Sequence, residues 1–128
     1  MKKMPGIDED LPFYPLNIAV LTVSDTRTPE TDTSGGLLVE RARAAGHNVI
    51  EHVIVKDEVI DIRAAVTRWI ADQGVDVVLT TGGTGFSPRD VTPEAVKPLF
   101  TREMVGFSVV FHQVSLGTVG VSTLQSRA

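Results

Sequence analysis

The sequence predicts a single α/β domain built on a mostly parallel sheet, and three observations support this prediction. First, residues 17–24, 47–55 and 75–80 are rich in Val, Ile and Leu, which is typical of strands in a buried sheet. Second, the two segments between them repeat apolar residues at helical spacing. Third, the connections are short, so strand and helix alternate as in sheets with crossover helices. We expect an irregular arm at residues 1–15 and the domain at residues 16–128, a length that suits one domain.

Composition excludes several kinds of site. The chain has no cysteine, so disulfides, thiolate zinc sites, iron–sulfur clusters and a cysteine nucleophile are excluded. The net charge is −4 and no basic stripe interleaves with aromatic residues, so nucleic-acid binding is not expected. The N-terminus lacks a signal-peptide pattern, and the apolar stretches fall far short of a membrane span. We therefore expect a cytoplasmic protein without a membrane partner.

The first predicted helix has clear end signals. Asp32, Thr33 or Ser34 can cap its N-terminus, because a short side-chain oxygen there accepts from a free amide of the first turn. The apolar pattern runs to about Ala45, and Gly46 is a natural residue to follow the helix end.

The later elements are placed by the same signals. Alternation predicts that one face of the second strand carries Val49, Glu51, Val53 and Val55 and the other carries Ile50, His52 and Ile54. The next helix can begin at Asp57 or Asp61, and we expect Gly74 to end it. Thr92 is expected to cap a further helix, and residues 104–114 form a last amphipathic stretch.

A polar segment follows each of the three predicted strands. These segments are residues 24–27, 56–58 and 81–90, and all three carry acidic side chains. In an open parallel sheet, ligands bind beyond the carboxyl ends of the strands. The sequence therefore predicts a binding site at this edge of the sheet.

The loop at residues 81–85, Thr-Gly-Gly-Thr-Gly, is the sharpest feature of that edge. Glycines allow backbone to approach a ligand closely, and successive amides in such a turn form an anion trap. A tight turn without a ligand would use the same residues. The loop lacks the lysine of a Walker motif and the third glycine of a dinucleotide-binding motif. If it is a cradle, a side chain placed at Gly83 should block the ligand.

The acidic residues of the edge each allow two interpretations. Asp57 and Asp90 can favour the start of the following helix, or they can hold Mg²⁺ beside phosphate oxygens. Asp25 and Arg27 can simply pair with each other at the surface. Residues 34–36, Ser-Gly-Gly, can be a helix entry or can offer free amides to phosphate.

Several ordered motifs carry a resemblance to a known family. They are Val23-Ser24-Asp25-Thr26-Arg27, Asp32-Thr33-Ser34-Gly35, Thr81-Gly82-Gly83-Thr84-Gly85 and Asp90-Val91-Thr92-Pro93-Glu94-Ala95. Together they resemble the molybdopterin-binding family, and within it the MoaB and MogA proteins of molybdenum cofactor synthesis. The segment Ser122-Thr123-Leu124-Gln125-Ser126-Arg127-Ala128 is similar to the MoaB branch. The resemblance covers nearly everything from Asn17 onward.

The resemblance implies a three-layer α/β/α fold and a reaction. Molybdopterin and Mg²⁺–ATP would give adenylyl-molybdopterin and pyrophosphate, with Asp57 and Asp90 as the catalytic and magnesium-binding residues. The positions that match ligand-lining positions are Ser24, Asp25, Ser34, Gly35, Thr81, Gly82, Gly83, Thr84, Gly85, Ser126 and Arg127. The resemblance also implies a homotrimer or homohexamer and contact with the protein that inserts molybdate. A non-catalytic molybdopterin-binding or assembly protein and a generic nucleotide-binding domain are the alternatives.

The sequence departs from the family pattern in two places. Members continue past the Ser-Arg-Ala segment through another strand and a closing helix, so we expect this chain to lack the C-terminal part. Residues 115–120 also lack the acidic residues that the MoaB branch carries there.

Overall fold

Three parallel strands form the centre of the computed structural model, which describes residues 8–128. The strands are β1 (Asn17–Val23), β2 (Asn48–Val55) and β3 (Val77–Thr81), in the spatial order β2-β1-β3. β1 is therefore hydrogen-bonded on both sides, and its side chains from Ile18 to Val23 are buried. Residues 8–16 contain no helix or strand. Residues 1–7 of the predicted arm lie outside the described residues.

Helices cover both faces of this sheet. α1 (Thr33–Ala44) packs on one face, where Ile18, Val20 and Ala42 form a buried cluster. α2 (Val59–Ile70) and the short α3 (Thr92–Val96) lie on the other face. The core there is formed by Ala19, Leu21, Val23, Ile62, Ala65, Val66, Trp69 and Ala95. The three-layer α/β/α prediction is confirmed.

The predicted ends of α1 are also confirmed. The Asp32 side chain caps the helix by accepting from the amide of Gly35 at 2.9 Å. Gly46 follows the helix with a φ of +92°, a backbone conformation that costs glycine little. The amide of His47 then donates to the carbonyl of Ala42 at 3.1 Å, which closes the helix end.

The predicted ends of α2 are wrong. The helix starts directly after Glu58, whose side chain makes no capping hydrogen bond, so neither Asp57 nor Asp61 is the cap. Asp57 stays at the edge of the sheet, and Asp61 lies in the first turn of the helix. The helix also stops before Gly74, because the Asp72 side chain accepts from the Gly74 amide at 2.8 Å and forms a separate turn.

An irregularity in β2 overturns the predicted alternation of its side chains. Ile18 lies opposite Val49 whereas Ala19 lies opposite Glu51, so Ile50 is an extra residue in the ladder. Val49 consequently packs with the buried cluster under α1, while the Glu51 carboxylate accepts a hydrogen bond from α2 on the other face. A bulge of this kind shifts the period of two by one residue, which the apolar pattern does not reveal.

The C-terminal quarter differs from its prediction. A 3-10 turn (Lys97–Leu99) leads to α4 (Val105–Val119) and to a 3-10 segment (Gly120–Gln125). α4 is apolar on all sides rather than amphipathic, and none of its residues is buried. The stretch Val105–Gln125 is 21 residues long with a mean hydropathy of 1.3. By length and composition alone it could cross a membrane, so the expectation that no apolar stretch approaches that length is wrong.

Two isoleucines in α2 test the assignment of the core. Ile62 is fully buried against the sheet, while Ile60 is 76 % exposed. We expect Ile62→Ala to lower the free energy of unfolding by about 2–5 kcal/mol, because it leaves a cavity. Ile60→Ala should stay within about 0.5 kcal/mol of the parent. Urea denaturation of both variants measures the difference, and equal losses would contradict the packing of α2 described here.

Candidate functional site

The carboxyl ends of the three strands meet at one edge of the sheet. Thr22 of β1 lies opposite Thr81 of β3, and Val23 lies opposite Val55 of β2. The amide of Ser24 continues the pairing by donating to the carbonyl of Val55 at 2.8 Å. The three polar segments predicted from the sequence therefore begin side by side.

Two glycines of the loop that follows β3 have positive φ, +97° at Gly82 and +71° at Gly83. A Cβ atom at Gly82 would lie 2.2 Å from the carbonyl oxygen of Val23. A Cβ atom at Gly83 would lie 2.3 Å from the hydroxyl of Thr92. Both clashes are with the protein itself. A side chain at Gly83 would thus deform the loop itself, and the expectation that it blocks a ligand stays a prediction.

The loop carbonyls are held by protein donors. The Thr92 hydroxyl donates to Gly82 O at 2.8 Å and the Thr92 amide donates to Gly83 O at 3.1 Å. Thr92 is the first residue of α3 and its hydroxyl is used in this way, so the prediction that it caps the helix is wrong. Arg127 binds the next two carbonyls, with its amide 2.9 Å from Thr84 O and its Nε 2.9 Å from Gly85 O.

The loop amides, unlike the loop carbonyls, have no hydrogen-bond partner among the described residues. Within residues 8–128, no protein acceptor lies in hydrogen-bonding geometry with the amides of Gly82, Gly83, Thr84 and Gly85. Four successive donors without protein partners, beside carbonyls that are all bound, give the loop a positive face. Such a face suits phosphate or another oxyanion. The arrangement favours the cradle interpretation of the loop over a turn without a ligand.

The contacts of Arg127 are with the glycine-rich loop and with the start of α3. Besides the two loop carbonyls, its guanidinium donates to the carbonyl of Asp90 at 2.6 Å and forms an ion pair with Glu94. These contacts connect the loop to the start of α3. Ser126 lies beside it, and its carbonyl accepts from His112 of α4. The implied ligand-lining role of Ser126 and Arg127 stays a prediction.

Arg89 neutralises part of the acidic edge. Its guanidinium binds both carboxylate oxygens of Asp25 at 3.0 Å and one oxygen of Glu58 at 2.9 Å. Asp25 also accepts from the amide of Asp57 at 3.1 Å. The hydrogen bonds from Arg89 and from that amide lower the pKa of the Asp25 carboxyl. Asp25 therefore pairs with Arg89, and its alternative pairing with Arg27 is wrong.

The pKa of the Asp57 carboxyl is shifted in the opposite direction to that of Asp25. Burial raises the pKa of its carboxyl, and the nearby charges of Asp25 and Asp90 raise it further. The fold thus keeps the Asp57 charge among other negative charges, which is a common property of functional sites. The effect of Asp90 is weaker than that of Asp25, and the nearby charge of Arg89 acts in the opposite direction by lowering the pKa.

The acidic side chains of the edge would hold magnesium only together with oxygen atoms from a bound ligand. No group of three or more His, Asp or Glu side chains within residues 8–128 is arranged to hold a metal ion. Mg²⁺ often binds through one or two carboxylates together with substrate phosphates and water. A magnesium site formed by Asp57 and Asp90 in this way stays a prediction, and Asp90 also accepts from the amide of Ser87 at 2.9 Å.

Sequence reasoning missed a buried polar network at the start of α1. Asp32 Oδ2 accepts from the Thr22 hydroxyl at 2.6 Å and lies 3.0 Å from His52 Nε2. Burial acts to raise the pKa of Asp32, but the hydrogen bonds from Thr22, Gly35 and His52 outweigh it and the pKa is lowered. The available signal was Thr22, a polar residue in a fully buried strand that must find a partner.

The network also accounts for Gly35 and separates it from Ser34. A Cβ atom at Gly35 would lie 2.2 Å from Asp32 Oδ2, and its amide is already bound to the Asp32 side chain. The neighbouring Ser34 amide has no acceptor among the described residues. Of these two predicted ligand-lining residues, Ser34 is the one with an available donor.

Two cavities open along the edge on the α1 side. The larger, about 590 Å³, is lined by Ser24, Asp25, Arg27, Thr28, Pro29, Asp32, Gly36, Val39, His52, Ile54, Val55 and Lys56. The smaller, about 150 Å³, is lined by Thr22, Val23, Ser24, Arg27, Asp32, Thr33, Ser34, Thr81 and Gly82. The smaller cavity thus reaches the glycine-rich loop. Free amides, acidic residues and cavities at one sheet edge are the features expected of an α/β domain that binds a ligand beyond the carboxyl ends of its strands.

Comparison with known proteins identifies the family. Residues 19–128 match the domain family described as "Probable molybdopterin binding domain". Molybdenum cofactor biosynthesis protein B of Escherichia coli (strain K12) is 53 % identical over 116 residues, covering 91 % of this chain and 68 % of that protein. The Bacillus subtilis (strain 168) protein of the same name is 44 % identical over 110 residues, covering 85 % of this chain and 65 % of its own length. The chain belongs to the molybdopterin-binding family of molybdenum cofactor biosynthesis.

Solved structures agree with this assignment. A crystal structure of molybdenum cofactor biosynthesis protein B superposes with a TM-score of 0.85 at 46 % identity, covering 90 % of this chain and 72 % of that one. The MoaB structure from Pyrococcus furiosus, described as a tungsten cofactor synthesizing protein, gives 0.77 at 37 % identity, with coverages of 91 % and 72 %. The predicted resemblance to the MoaB and MogA proteins is confirmed.

Asp57 offers a test of the electrostatics of the edge. A carboxyl whose pKa is raised by folding destabilises the folded state above that pKa, and the effect disappears below the ordinary value of 3.8. We expect Asp57→Asn to raise the melting temperature at pH 7 in EDTA and to leave it unchanged near pH 3. Asp61→Asn, on the exposed side of α2, is the control. A lower melting temperature for Asp57→Asn at pH 7 would contradict this account.

Proposed function

We propose that the protein is a molybdopterin adenylyltransferase that uses Mg²⁺–ATP and releases pyrophosphate. The observation that carries the proposal is the loop of residues 82–85, whose carbonyls are bound by protein while its four amides are available. Molybdopterin is inferred as the second substrate because the chain belongs to a family of molybdenum cofactor biosynthesis. The carboxylates of Asp57 and Asp90, the second of which lies near enough to raise the pKa of the first, would hold the magnesium ion.

The proposed reaction is a displacement at the α-phosphorus of ATP. An oxygen of the pterin's terminal phosphate forms a new bond to that phosphorus, while the bond to the oxygen bridging the α- and β-phosphates breaks. Pyrophosphate leaves with the bonding electrons. A phosphate dianion needs no base to attack, so no protein nucleophile or proton acceptor is required.

The protein would contribute positioning and charge stabilisation. The amides of residues 82–85 can donate to phosphoryl oxygens as negative charge moves during the displacement. Bound by Asp57 and Asp90, magnesium would neutralise phosphate charge. Thr92 and Arg127 hold the loop carbonyls so that the amides stay oriented without rearrangement.

Assembly into a homotrimer or homohexamer is part of the same proposal. It is supported by the exposed apolar side chains of α4, among them Phe107 at 61 % exposure and Val114 at 66 %. Apolar patches of this kind mark association surfaces in many proteins. A soluble assembly in the cytoplasm, able to meet the protein that inserts molybdate, fits this proposal.

Asp90→Asn tests the catalytic part of the proposal. The asparagine can still accept from the Ser87 amide, so the loop should keep its shape. We expect the rate of adenylyl transfer to fall by roughly 10²- to 10³-fold, because a charge that stabilises the transition state through magnesium is lost. Anaerobic incubation with molybdopterin, Mg²⁺ and ATP labelled at the α-phosphate measures it.

Two results would speak against the proposal. An unchanged rate in Asp90→Asn, with Asp61→Asn as the matched control, would leave Asp90 only a role in the Ser87 turn. If the parent protein binds molybdopterin but forms no adenylylated product, it is a non-catalytic binding or assembly protein instead.

A further inference from the structure

The short helix α3 is hydrogen-bonded to the glycine-rich loop at its start. Its first residue, Thr92, binds the carbonyl of Gly82 through its hydroxyl and the carbonyl of Gly83 through its amide. α3 has only five residues, and helices of fewer than roughly 12 residues are marginal without tertiary contacts. The position of Thr92 therefore depends on what holds the rest of α3 in place.

Arg63 of α2 binds the other end of α3. Its Nε donates to the carbonyl of Ala95 at 3.0 Å, and its Nη2 donates to the carbonyl of Glu94 at 3.2 Å. Both contacts are with main-chain atoms near the end of the helix, where arginine side chains can bind the last carbonyls. Two hydrogen bonds from one planar guanidinium fix the end of α3 in direction as well as in distance.

The two carbonyls need a donor from outside α3. In a longer helix the Glu94 carbonyl would accept from the amide four residues later, but residue 98 is proline and has no amide hydrogen. Ala95 is fully buried, so its carbonyl is shielded from water, and a buried carbonyl without a partner is costly. Arg63 supplies both hydrogen bonds from a charged donor, which makes them stronger than hydrogen bonds between neutral groups.

A series of hydrogen bonds thus leads from the core to the loop. α2 is anchored by Ile62, which is fully buried against the sheet. Arg63 follows it in the sequence and joins α2 to the end of α3. Thr92 then joins the start of α3 to the carbonyls of Gly82 and Gly83. The first half of the glycine-rich loop is therefore connected to α2 through α3.

We propose that Arg63 is a positioning residue for the glycine-rich loop. By holding the end of α3, it keeps Thr92 on the carbonyls of Gly82 and Gly83, and so keeps the amides of the loop oriented towards phosphate. Its two hydrogen bonds are to α3 and not to the loop, so it acts through another element. The inference rests on the proposed function and deepens it, because amides that are already oriented stabilise charge without rearrangement.

Arg63→Met tests the inference, because methionine keeps an unbranched side chain but cannot donate to the two carbonyls. Arg63→Lys is the conservative variant, since lysine keeps the charge but lacks the planar pair of donors. Arg68→Met is the matched control. Arg68 lies on the same helix, and its guanidinium binds the Glu51 carboxylate instead of α3.

Amide hydrogen exchange without any ligand measures the contact between α3 and the loop. The Thr92 amide donates to the Gly83 carbonyl, whereas Leu21 lies in the middle of β1 and reports on global unfolding. We expect Arg63→Met to accelerate exchange at Thr92 by roughly tenfold relative to Leu21, because two charged hydrogen bonds are lost. Arg63→Lys should have a smaller effect, and the Arg68→Met control none.

Two results of the exchange experiment would overturn the inference. If Arg63→Met leaves exchange at Thr92 unchanged, Arg63 does not hold α3 against the loop. If exchange at Thr92 and Leu21 accelerates by the same factor, Arg63 contributes only to the stability of the whole domain.

A double-mutant cycle tests whether Arg63 acts on the reaction through Thr92. Thr92→Val keeps a buried side chain of similar shape but removes the hydroxyl bound to the Gly82 carbonyl. We expect Arg63→Met to lower the kcat of adenylyl transfer by roughly threefold to tenfold in the parent and by a clearly smaller factor in Thr92→Val. The KM for ATP should change less than kcat, because oriented amides act mainly on the transition state. Losses that simply multiply in the double variant would overturn the inference.

Failure of the proposed function gives a different result from failure of this inference. If the parent forms no adenylylated pterin, the proposed reaction is wrong. Exchange at Thr92, which is measured without ligand, then still decides whether Arg63 positions the loop.

Discussion

β1 is hydrogen-bonded to a parallel strand on each of its sides, and this pairing determines where the polar segments of the chain lie. Because β2 and β3 both run parallel to β1, all three strands end at the same edge, and three polar segments begin there. β1 is buried on both faces, so helices must cover the sheet from both sides. Sequence positions as distant as Ser24, Asp57 and Asp90 come to one edge for this reason alone.

The glycine-rich loop turns that edge into a potential binding site by separating donors from acceptors. Thr92 and Arg127, from different parts of the chain, bind the carbonyls of residues 82–85 and leave the amides available. Nearby, Arg89 binds Asp25 and Glu58, while Asp57 keeps a carboxyl whose pKa is raised by burial and by its acidic neighbours. Backbone amides that can donate and negatively charged carboxylates thus lie at the same edge, an arrangement that would suit a phosphate together with its metal ion.

Much of this could be predicted from the sequence because it is local. The apolar runs predict the strands, and Asp32 and Gly46 mark the ends of α1 by their own backbone chemistry. The convergence of the strand ends follows from the parallel topology. The family resemblance rested on short ordered motifs, and the comparisons confirmed it.

What could not be predicted depends on contacts between distant residues. The bulge at Ile50 moves Val49 to the other face, and nothing in the alternation of β2 signals it. Thr92 resembles a helix cap, but its hydroxyl binds Gly82 instead. His52 joins the hydrogen-bonded network of Thr22 and Asp32 only because the fold brings it to Asp32, which lies 20 residues earlier in the chain.

Binding of phosphate oxygens by the free amides of the glycine-rich loop can be measured residue by residue with amide NMR. In a titration of the ¹⁵N-labelled protein with inorganic pyrophosphate, we expect the amide signals of Gly82, Gly83 and Gly85 to shift strongly. Gly106 and Gly117 of α4 serve as internal references and should stay nearly constant. If the loop glycines shift no more than these two references, the loop does not bind phosphate oxygens through its amides.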